Sequence, residues 1–260
     1  MASKLIAEIR HAVGYLILNA PDRRNALSFD MWAGIAPIIE RFAQDPKVRV
    51  IVIRGQGSQA FCAGADISEF DHNRASDQAA NAYDNATGEA VQSLYHCAKP
   101  VLAAIQGVCF GGGFALALGC DLRLASEDAR FCIPAGKLGI GYGLSATAAL
   151  VQRLGPGTTA DILLTGQVYS AAEALARGIV QRVAPADQFQ TLVDNYVAML
   201  SENAPLSLAA SKAGIRATLG HDPNTRAEAE RAVAACVASE DYREGRAAFL
   251  AKRKPRFEGR

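Results

Sequence analysis

The stretch "VLAAIQGVCFGGGFALALGCDLRLAS", Val101–Ser126, decides the fold of this chain. An apolar run ends at Gly107, three consecutive glycines follow at 111–113, and small apolar residues continue to Gly119. The run predicts a buried strand, and the residues after the glycines predict a helix that begins near Gly113. Ordered glycines cost conformational entropy, so three in a row indicate that something approaches the backbone too closely for a side chain.

A second stretch has the same form. "AFCAGADISEF", Ala60–Phe70, follows the strand pattern "VRVIVIRG" and places small residues where the chain turns. Backbone N–H groups in such turns are left unpaired by the strand ladder. Two of them that converge can hold an oxygen that becomes negative during a reaction, which is an oxyanion hole. Taken alone, either stretch is more often a place where a strand packs closely on a helix.

The first part of the chain alternates strand and helix patterns. "KLIAEIR" and "VGYLILN" predict two strands with a turn at His11–Ala12. "LSFDMWAGIAPIIERFAQD" predicts a helix with Ser28 as its N-cap and a kink or break at Pro37. A polar segment, Ser68–Asn81, precedes a helical stretch that ends near Cys97.

After Gly141 the patterns are mostly helical, with Gly and Pro between them and one short strand at "IVQRVA". The fold class predicted is therefore α/β, with an α/β core followed by a helical part. We divide the chain into a core of residues 1–200 and a C-terminal helical region of residues 201–260.

Composition excludes several classes of function. The 260 residues carry 27 basic and 26 acidic side chains, a net charge of +1 that predicts no nucleic-acid partner. No run of about 18 apolar residues predicts a membrane span. The six cysteines form no C-x-x-C pair and the four histidines are scattered, so we expect buried thiols, a reducing cytoplasmic setting and no metal site. The basic end "KRKPRFEGR" is interpreted as a solvated terminus.

Other catalytic motifs fail. "GIGYG" at Gly139–Gly143 does not have its third glycine at the spacing of a dinucleotide fingerprint. The chain has neither the G-x-x-x-x-G-K-[ST] loop of nucleotide hydrolysis nor the G-x-S-x-G elbow of a serine hydrolase.

Taken together and in this order, the motifs resemble one family, the crotonase or enoyl-CoA hydratase/isomerase superfamily. The resemblance covers nearly the whole chain and includes "RRNALS", "AFCAGADISEF", "KPVLAAIQGVCFGGGFALALGCDLRLAS", "ARFCIPAGKLGIG", "ILLTG", "SAAEALARGIVQRV" and "REGRAAFLAKRKPRF". It implies a ββα superhelix core with a C-terminal helical trimerisation region, assembled as a homotrimer or a dimer of trimers.

The resemblance also implies a site. Two backbone N–H groups that bind the acyl-CoA thioester oxygen would fall on Ala65 and Gly112, and the thioester would be polarised toward an enolate. No cofactor is implied beyond coenzyme A as part of the substrate. The residues expected to line its groove are Asn25, Ala26, Ala63, Asp66, Ile67 and Ser68. Phe249 and Lys252 take the places from which a C-terminal helix closes the CoA site, often in a neighbouring subunit; Lys252 is equally well an ordinary exposed lysine.

The chain departs from the family at its two acid–base positions. Hydratases of this family use two glutamates, and the matching positions here are Ala115 and Ala135. The aspartate of the dehalogenase members would fall at Gly143. A positioned acid or base is worth about 10²–10⁴-fold in rate, so efficient water addition is not expected.

Three functions stay open on this basis. One is an acyl-CoA lyase or isomerase of the family, with isomerisation and decarboxylation needing fewer protein groups than hydration. The second is an acyl-CoA binding protein with little or no catalysis, and the third, a scaffold without a CoA site, leaves the glycines unexplained. Tyr142, Lys137, Glu69 and His72 lie in or beside the motifs and are candidates to substitute for the missing acids, but none of them is assigned as the catalyst. Tyr142 is more often an aromatic wall of the acyl pocket, and Glu69 a solvent-facing residue of a first helical turn.

Overall fold

Two β-sheets carry the strands in a computed structural model that describes residues 3–69, 76–219 and 223–260. The strands are β1 (Leu5–Arg10), β2 (Val13–Leu18), β3 (Val50–Gly55), β4 (Ala60–Cys62), β5 (Val101–Ile105), β6 (Val108–Phe110), β7 (Leu122–Ser126), β8 (Arg130–Cys132), β9 (Tyr169–Ser170) and β10 (Arg182–Ala184). Within the described residues, the larger sheet has the order β1-β2-β3-β5-β7-β10 and the smaller one β4-β6-β8-β9. Only β1 and β9 run antiparallel to their neighbours there.

The helices follow pairs of strands taken from the two sheets. They are α1 (Phe29–Gln44), α2 (Asp77–His96), α3 (Gly112–Gly119), α4 (Leu144–Thr165), α5 (Ala171–Ala176), α6 (Phe189–Glu202), α7 (Pro205–Leu219), α8 (Pro223–Ala238) and α9 (Glu240–Leu250). β3 and β4 precede α2, β5 and β6 precede α3, and β7 and β8 precede α4. These three ββα units confirm the predicted superhelical α/β core.

The long strands and the short strand β10 match the sequence patterns, whereas the short strands β4 and β6 were missed. β2, β3 and β5 are buried over most of their length, and the turn between β1 and β2 has positive φ at His11 (46°) and Ala12 (67°). β4 and β6 were not predicted as strands, because three residues are too few to show an alternating pattern. β4 consists of the residues "AFC", which were predicted to lie where the chain turns.

Two of the predicted helix boundaries need correction. α1 runs through Pro37 without a break. α2 begins at Asp77, where the Ser76 hydroxyl accepts a hydrogen bond from Ala79 N at 3.2 Å, so the polar segment predicted to reach Asn81 is helical from residue 77. Residues 70–75, which include His72, lie outside the described residues.

The C-terminal region consists of α7, α8, α9 and a tail. α8 and α9 are separated at Ser239, whose hydroxyl caps α9 by accepting from Tyr242 N at 3.0 Å. The division of the chain at residues 200 and 201 falls inside the last turn of α6 and stays a prediction. No described helix is both long and apolar enough to cross a membrane.

The six-stranded sheet buries a separate apolar cluster on each face. The larger cluster contains Leu16, Ile51, Ile53 and the side chains of α1 and α3. The smaller contains Val50, Val52 and Leu102, and α6 covers it with Phe189 and Val193. All six cysteines are free thiols, and all except the half-buried Cys236 are buried.

Candidate active site

The loop after β4 is held against the loop after β2 by backbone hydrogen bonds. Leu27 N donates to Gly64 O at 2.8 Å, and Asp66 N donates to Leu27 O at 2.9 Å. This parallel bridge pairs Leu27 with Ala65 through the residues on either side of Ala65. The N–H of Ala65 itself is therefore not used by the bridge.

The second loop is the turn from β6 into α3. Gly111 has φ +49° and donates its N–H to Cys132 O at 2.8 Å. The helix starts at Gly112, and its first backbone bond runs from Ala115 N to Gly111 O at 3.1 Å. The N–H of Gly112 precedes that bond, so it has no partner inside the helix and lies at the positive end of the helix dipole.

The two loops touch at these amides. A Cβ placed on Gly112 would lie 3.5 Å from Ala65 N, and one placed on Gly64 would lie 3.6 Å from Gly112 N. Among the described residues, neither Ala65 N–H nor Gly112 N–H donates to a backbone carbonyl. Two adjacent donors without an internal acceptor are an arrangement that can bind one oxygen atom.

Close packing also explains the glycines. A Cβ on Gly112 would lie 2.8 Å from Cζ2 of Trp32, and one on Gly113 would lie 2.6 Å from the Cβ of Cys62. Sequence reasoning missed both neighbours. Trp32 is 2 % exposed, and its Nε1 has no hydrogen-bond partner among the described residues. Burial raises the pKa of the Cys62 thiol to about 12, so it stays protonated near neutral pH.

The two alanines that are predicted to match the family's glutamates lie at the edge of the core. Ala115 is half-buried in the first turn of α3. Ala135 is half-buried, packs against the larger cluster and begins the 3-10 helix Ala135–Leu138. Neither methyl group can transfer a proton.

Tyr142 lies in the loop just before α4 and packs against the larger cluster. Burial raises the pKa of its phenol to about 12, so the hydroxyl is a proton donor throughout the neutral range. Its position is compatible with both sequence interpretations, a proton donor and an apolar wall. Lys137 instead lays its aliphatic carbons near Gly166, where a Cβ would meet them at 3.4–3.6 Å.

Asn25 is a structural residue in this structure. It is 1 % exposed, its Oδ1 accepts from Ala20 N at 3.0 Å, and its Nδ2 donates to Gln56 O at 3.1 Å and Ala60 O at 2.7 Å. Any contribution of Asn25 to a ligand groove therefore comes from its backbone, whereas Ala26 is half-buried. The position of Ala63 is set by its N–H, which donates to Arg24 O at 2.9 Å.

Asp66 and Ser68 form a polar cluster with Arg23, a residue that sequence reasoning did not select. Arg23 Nη1 lies 2.5 Å from Asp66 Oδ2 and 2.8 Å from Ser68 Oγ. Hydrogen bonds from Ser68 are the main cause that lowers the pKa of Asp66, and Arg23 adds to it. Ile67 lies between them with 60 % of its surface exposed.

Glu69 corrects a prediction. It ends the 3-10 helix Ile67–Glu69, it is half-buried, and its Oε2 accepts from Phe29 N at 2.8 Å. It therefore caps α1, where Ser28 occupies the N-cap position but its side chain makes no capping hydrogen bond within the described residues. The expectation of a solvent-facing glutamate was wrong, because the contact joins residues 40 positions apart and no local pattern encodes it.

Phe249 and Lys252 lie at the end of the C-terminal helix α9 and in the turn after it. Phe249 is 84 % exposed near the end of α9, and Lys252 lies in the exposed turn that follows. The tail beyond them bonds through Phe257 O to a guanidinium nitrogen of Arg49, directly before the amino end of β3. The two amides follow the carboxyl ends of β4 and β6, two strands of the smaller sheet.

Known proteins are similar to this chain in sequence and in fold. The family model described as enoyl-CoA hydratase/isomerase matches residues 8–260. The chain belongs to the enoyl-CoA hydratase/isomerase family. Carnitinyl-CoA dehydratase from Proteus mirabilis is 35 % identical over 266 residues, covering 100 % of both chains. Crotonyl-CoA hydratase from Syntrophomonas wolfei is 33 % identical over 255 residues and covers 97 % of each chain.

Solved structures give the same result for the fold. An enoyl-CoA hydratase/isomerase family protein from Hyphomonas neptunium superposes with a TM-score of 0.93 at 37 % identity, covering 99 % of this chain and 98 % of its own. Family membership and fold agree with the resemblance that the motifs predicted, and the protein is an acyl-CoA enzyme of this family. The assignment of individual site residues stays a prediction.

Proposed function

We propose that the protein binds an acyl-CoA thioester with its carbonyl oxygen between the N–H groups of Ala65 and Gly112. The observation that carries the proposal is the adjacency of these two amides, with neither bonded to a backbone carbonyl in the described part of the chain. The two hydrogen bonds strengthen as the carbonyl becomes an enolate. One such donor is worth about 10²–10³ in kcat.

The reaction we propose within the family is one that needs little acid–base help from side chains. Water addition requires a base for the water and an acid for the α-carbon, and Ala115 and Ala135 supply neither. In the decarboxylation of a malonyl-type thioester, the bond between the α-carbon and the carboxylate breaks and CO₂ leaves. The electron pair of the broken bond stays on the substrate and forms the enolate. A proton from water or from Tyr142 then reaches the α-carbon.

Isomerisation of an enoyl thioester is the other reaction of this kind. The enolate again forms in the oxyanion hole, and one group removes a proton and returns it at a different carbon. The relatives that carry hydratase and dehydratase names favour lyase chemistry, whereas the two alanines favour reactions without water addition.

A panel of thioesters separates these reactions. We expect turnover of malonyl-type or 3-enoyl thioesters above the buffer rate. The kcat/KM for crotonyl-CoA hydration should be far lower than the kcat/KM for those thioesters. Rates no better than buffer with every thioester would contradict the proposal. Efficient crotonyl-CoA hydration by the natural protein would contradict the role given to the alanines.

The double variant Ala115→Glu with Ala135→Glu tests that role directly. If the pocket keeps hydratase geometry, restoring the acid and the base raises crotonyl-CoA hydration by about 10²-fold or more. Each single variant is the matched control and should gain much less. No gain in the double variant would mean that the pocket has diverged beyond the two missing acids.

The second candidate is an acyl-CoA binding protein with little or no catalysis. The same alanines favour it. Tight binding of acetyl-CoA in calorimetry, together with no turnover in the panel, would select it over the enzymatic proposal.

We also propose that a homotrimer, or a dimer of trimers, completes the CoA site. Exposed apolar side chains on α8 and α9 support an assembly: Val233, Val237, Phe249 and Leu250 are 55–84 % exposed. Phe249 and Lys252 of a neighbouring subunit would then close the groove, with the lysine near CoA phosphates. Light scattering should give a trimer or hexamer mass; a monomer with full CoA affinity would contradict this.

A further inference from the structure

A cavity lies on the α6 face of the large sheet, away from the acyl site proposed above. Its volume is about 170 Å³. Tyr15 of β2, Arg54 of β3 and Gln106 directly after β5 point into it from three neighbouring strands. The first turn of α6 closes one side through Phe189 and Gln190.

Arg54 is the unusual member of this lining. Its Nε is buried and has no hydrogen-bond partner among the described residues. No ion pair involving Arg54 is present in that part of the chain either. A buried donor of a charged group that lacks an acceptor costs free energy, because the group has lost its water. Arg54 as a whole is only half-buried and lines the cavity, so the outer nitrogens of its guanidinium are the groups that can meet an acceptor there.

Two of the other charges around the cavity pair with each other. Arg10 and Glu8 pair with each other at 2.7 Å. Burial is the main cause that raises the pKa of Tyr15, and the charge of Asp194 is the next. Asp194 accepts a hydrogen bond from Gln190 Nε2 at 2.8 Å. The single positive charge of Arg54 is left without a direct counterion, which suits a monoanion better than a dianion.

We propose that this cavity binds a small monocarboxylate, with the carboxylate on the guanidinium of Arg54 and within reach of Tyr15 and Gln106. The fork of a guanidinium matches the two oxygens of a carboxylate. A phenol and an amide supply further neutral donors. Cavities for drug-sized ligands measure about 300–1,000 Å³, so this one admits only a molecule of a few heavy atoms.

The test uses sodium acetate as the probe, with sodium chloride at the same ionic strength as the reference. We expect acetate to raise the melting temperature of the natural protein above the chloride value. In calorimetry, Arg54→Met should weaken acetate binding by about tenfold or more, which is the scale of one hydrogen-bonded charge. Arg182→Met, at an exposed arginine of β10, is the matched control and should bind acetate like the natural protein.

A second variant and a crystal soak complete the test. Arg54→Lys keeps the charge without the fork, so we expect intermediate affinity. A crystal of the natural protein soaked in acetate should show a carboxylate at Arg54, which keeps the test independent of how the variants fold. Equal effects of acetate and chloride, unchanged binding in Arg54→Met, or only water in the cavity would each overturn the proposal. A phosphate that binds through Arg54 where acetate does not would overturn the carboxylate assignment.

Discussion

The candidate acyl site is formed by backbone groups, whereas the C-terminal helices are held in place by charged side chains. At the acyl site the proposed binding groups are backbone amides of Ala65 and Gly112, surrounded by glycine, alanine and the side chains of Trp32 and Cys62. The C-terminal helices are attached by buried charges: Lys212, Arg216 and Asp241 are 4–9 % exposed. A site made of backbone keeps its geometry when nearby side chains change, whereas an attachment made of ion pairs depends on each side chain.

This comparison explains how the fold tolerates alanine at both glutamate positions. The positions of the two amides depend on backbone hydrogen bonds of Leu27, Gly64 and Gly111. The side chains of residues 115 and 135 take no part in these bonds. The chemistry of the site can therefore change while the oxygen-binding geometry is kept.

The largest effect is expected for Gly112→Ala, which tests the backbone side of the comparison. The new Cβ would meet Trp32 Cζ2 at 2.8 Å, so the amide or the indole must move. With the thioester that the panel identifies, we expect kcat to fall by about 10²–10³. Gly214→Ala on α7 is the control, because a Cβ there meets nothing within 4 Å. Unchanged kcat in Gly112→Ala would remove this amide from the mechanism.

Lys212→Met tests the charged side. Lys212 Nζ lies 2.7 Å from Asp121 Oδ2 and donates to Leu94 O at 3.2 Å and Lys99 O at 3.1 Å. Its loss leaves buried acceptors unpaired, so urea denaturation should show a loss of about 3 kcal/mol in the free energy of unfolding. Lys254→Met removes an exposed pair with Glu202 and should cost less than about 1 kcal/mol. Similar losses in the two variants would contradict the comparison.

Alkaline pH should weaken the core beneath the acyl site. Burial raises the pKa of Cys62 and Cys120 to about 12, from 9.0 for the free thiol. The stabilisation is complete below pH 9 and is lost as the pH rises toward 12, because unfolded thiols ionise while folded ones stay protonated. For these two thiols together, the free energy of unfolding should fall by about 2 kcal/mol between pH 9 and 10.

Urea denaturation at several pH values measures this slope. The double variant Cys62→Ala with Cys120→Ala should show a shallower decline than the natural protein. An equal decline in both would assign the pH dependence to other groups.

The smallest effect is expected for Glu69→Ala, where a side chain supports the backbone site. Its carboxylate caps α1 at Phe29 N, and removing a cap costs about 1 kcal/mol. Thermal unfolding measures the loss. Glu40→Ala, at an exposed residue within α1, is the control and should change stability by less than about 0.5 kcal/mol. Equal stability in the two variants would mean that Phe29 N finds another acceptor.

Much of the fold could be predicted because its signals are local. The apolar runs of β3 and β5 and the helical spacing of α1 are visible within a few residues. The ββα repeat was not visible as a sequence repeat, because β4, β6 and β8 are only three residues long and are defined by their partners. Arg54 and Gln106 gave no signal, since single polar residues at strand ends are common.

The sequence by itself determined the buried strands, the helices, the glycines that forbid side chains and, through its motifs, the family. These are properties of short segments, and apolar periodicity and backbone freedom act within them. Only the tertiary structure decided that Ala65 and Gly112 lie side by side, that Glu69 caps a helix 40 residues earlier, and that the side chain of Phe249 is exposed. Contacts between distant segments depend on how the sheets and helices pack, and no local pattern records that packing.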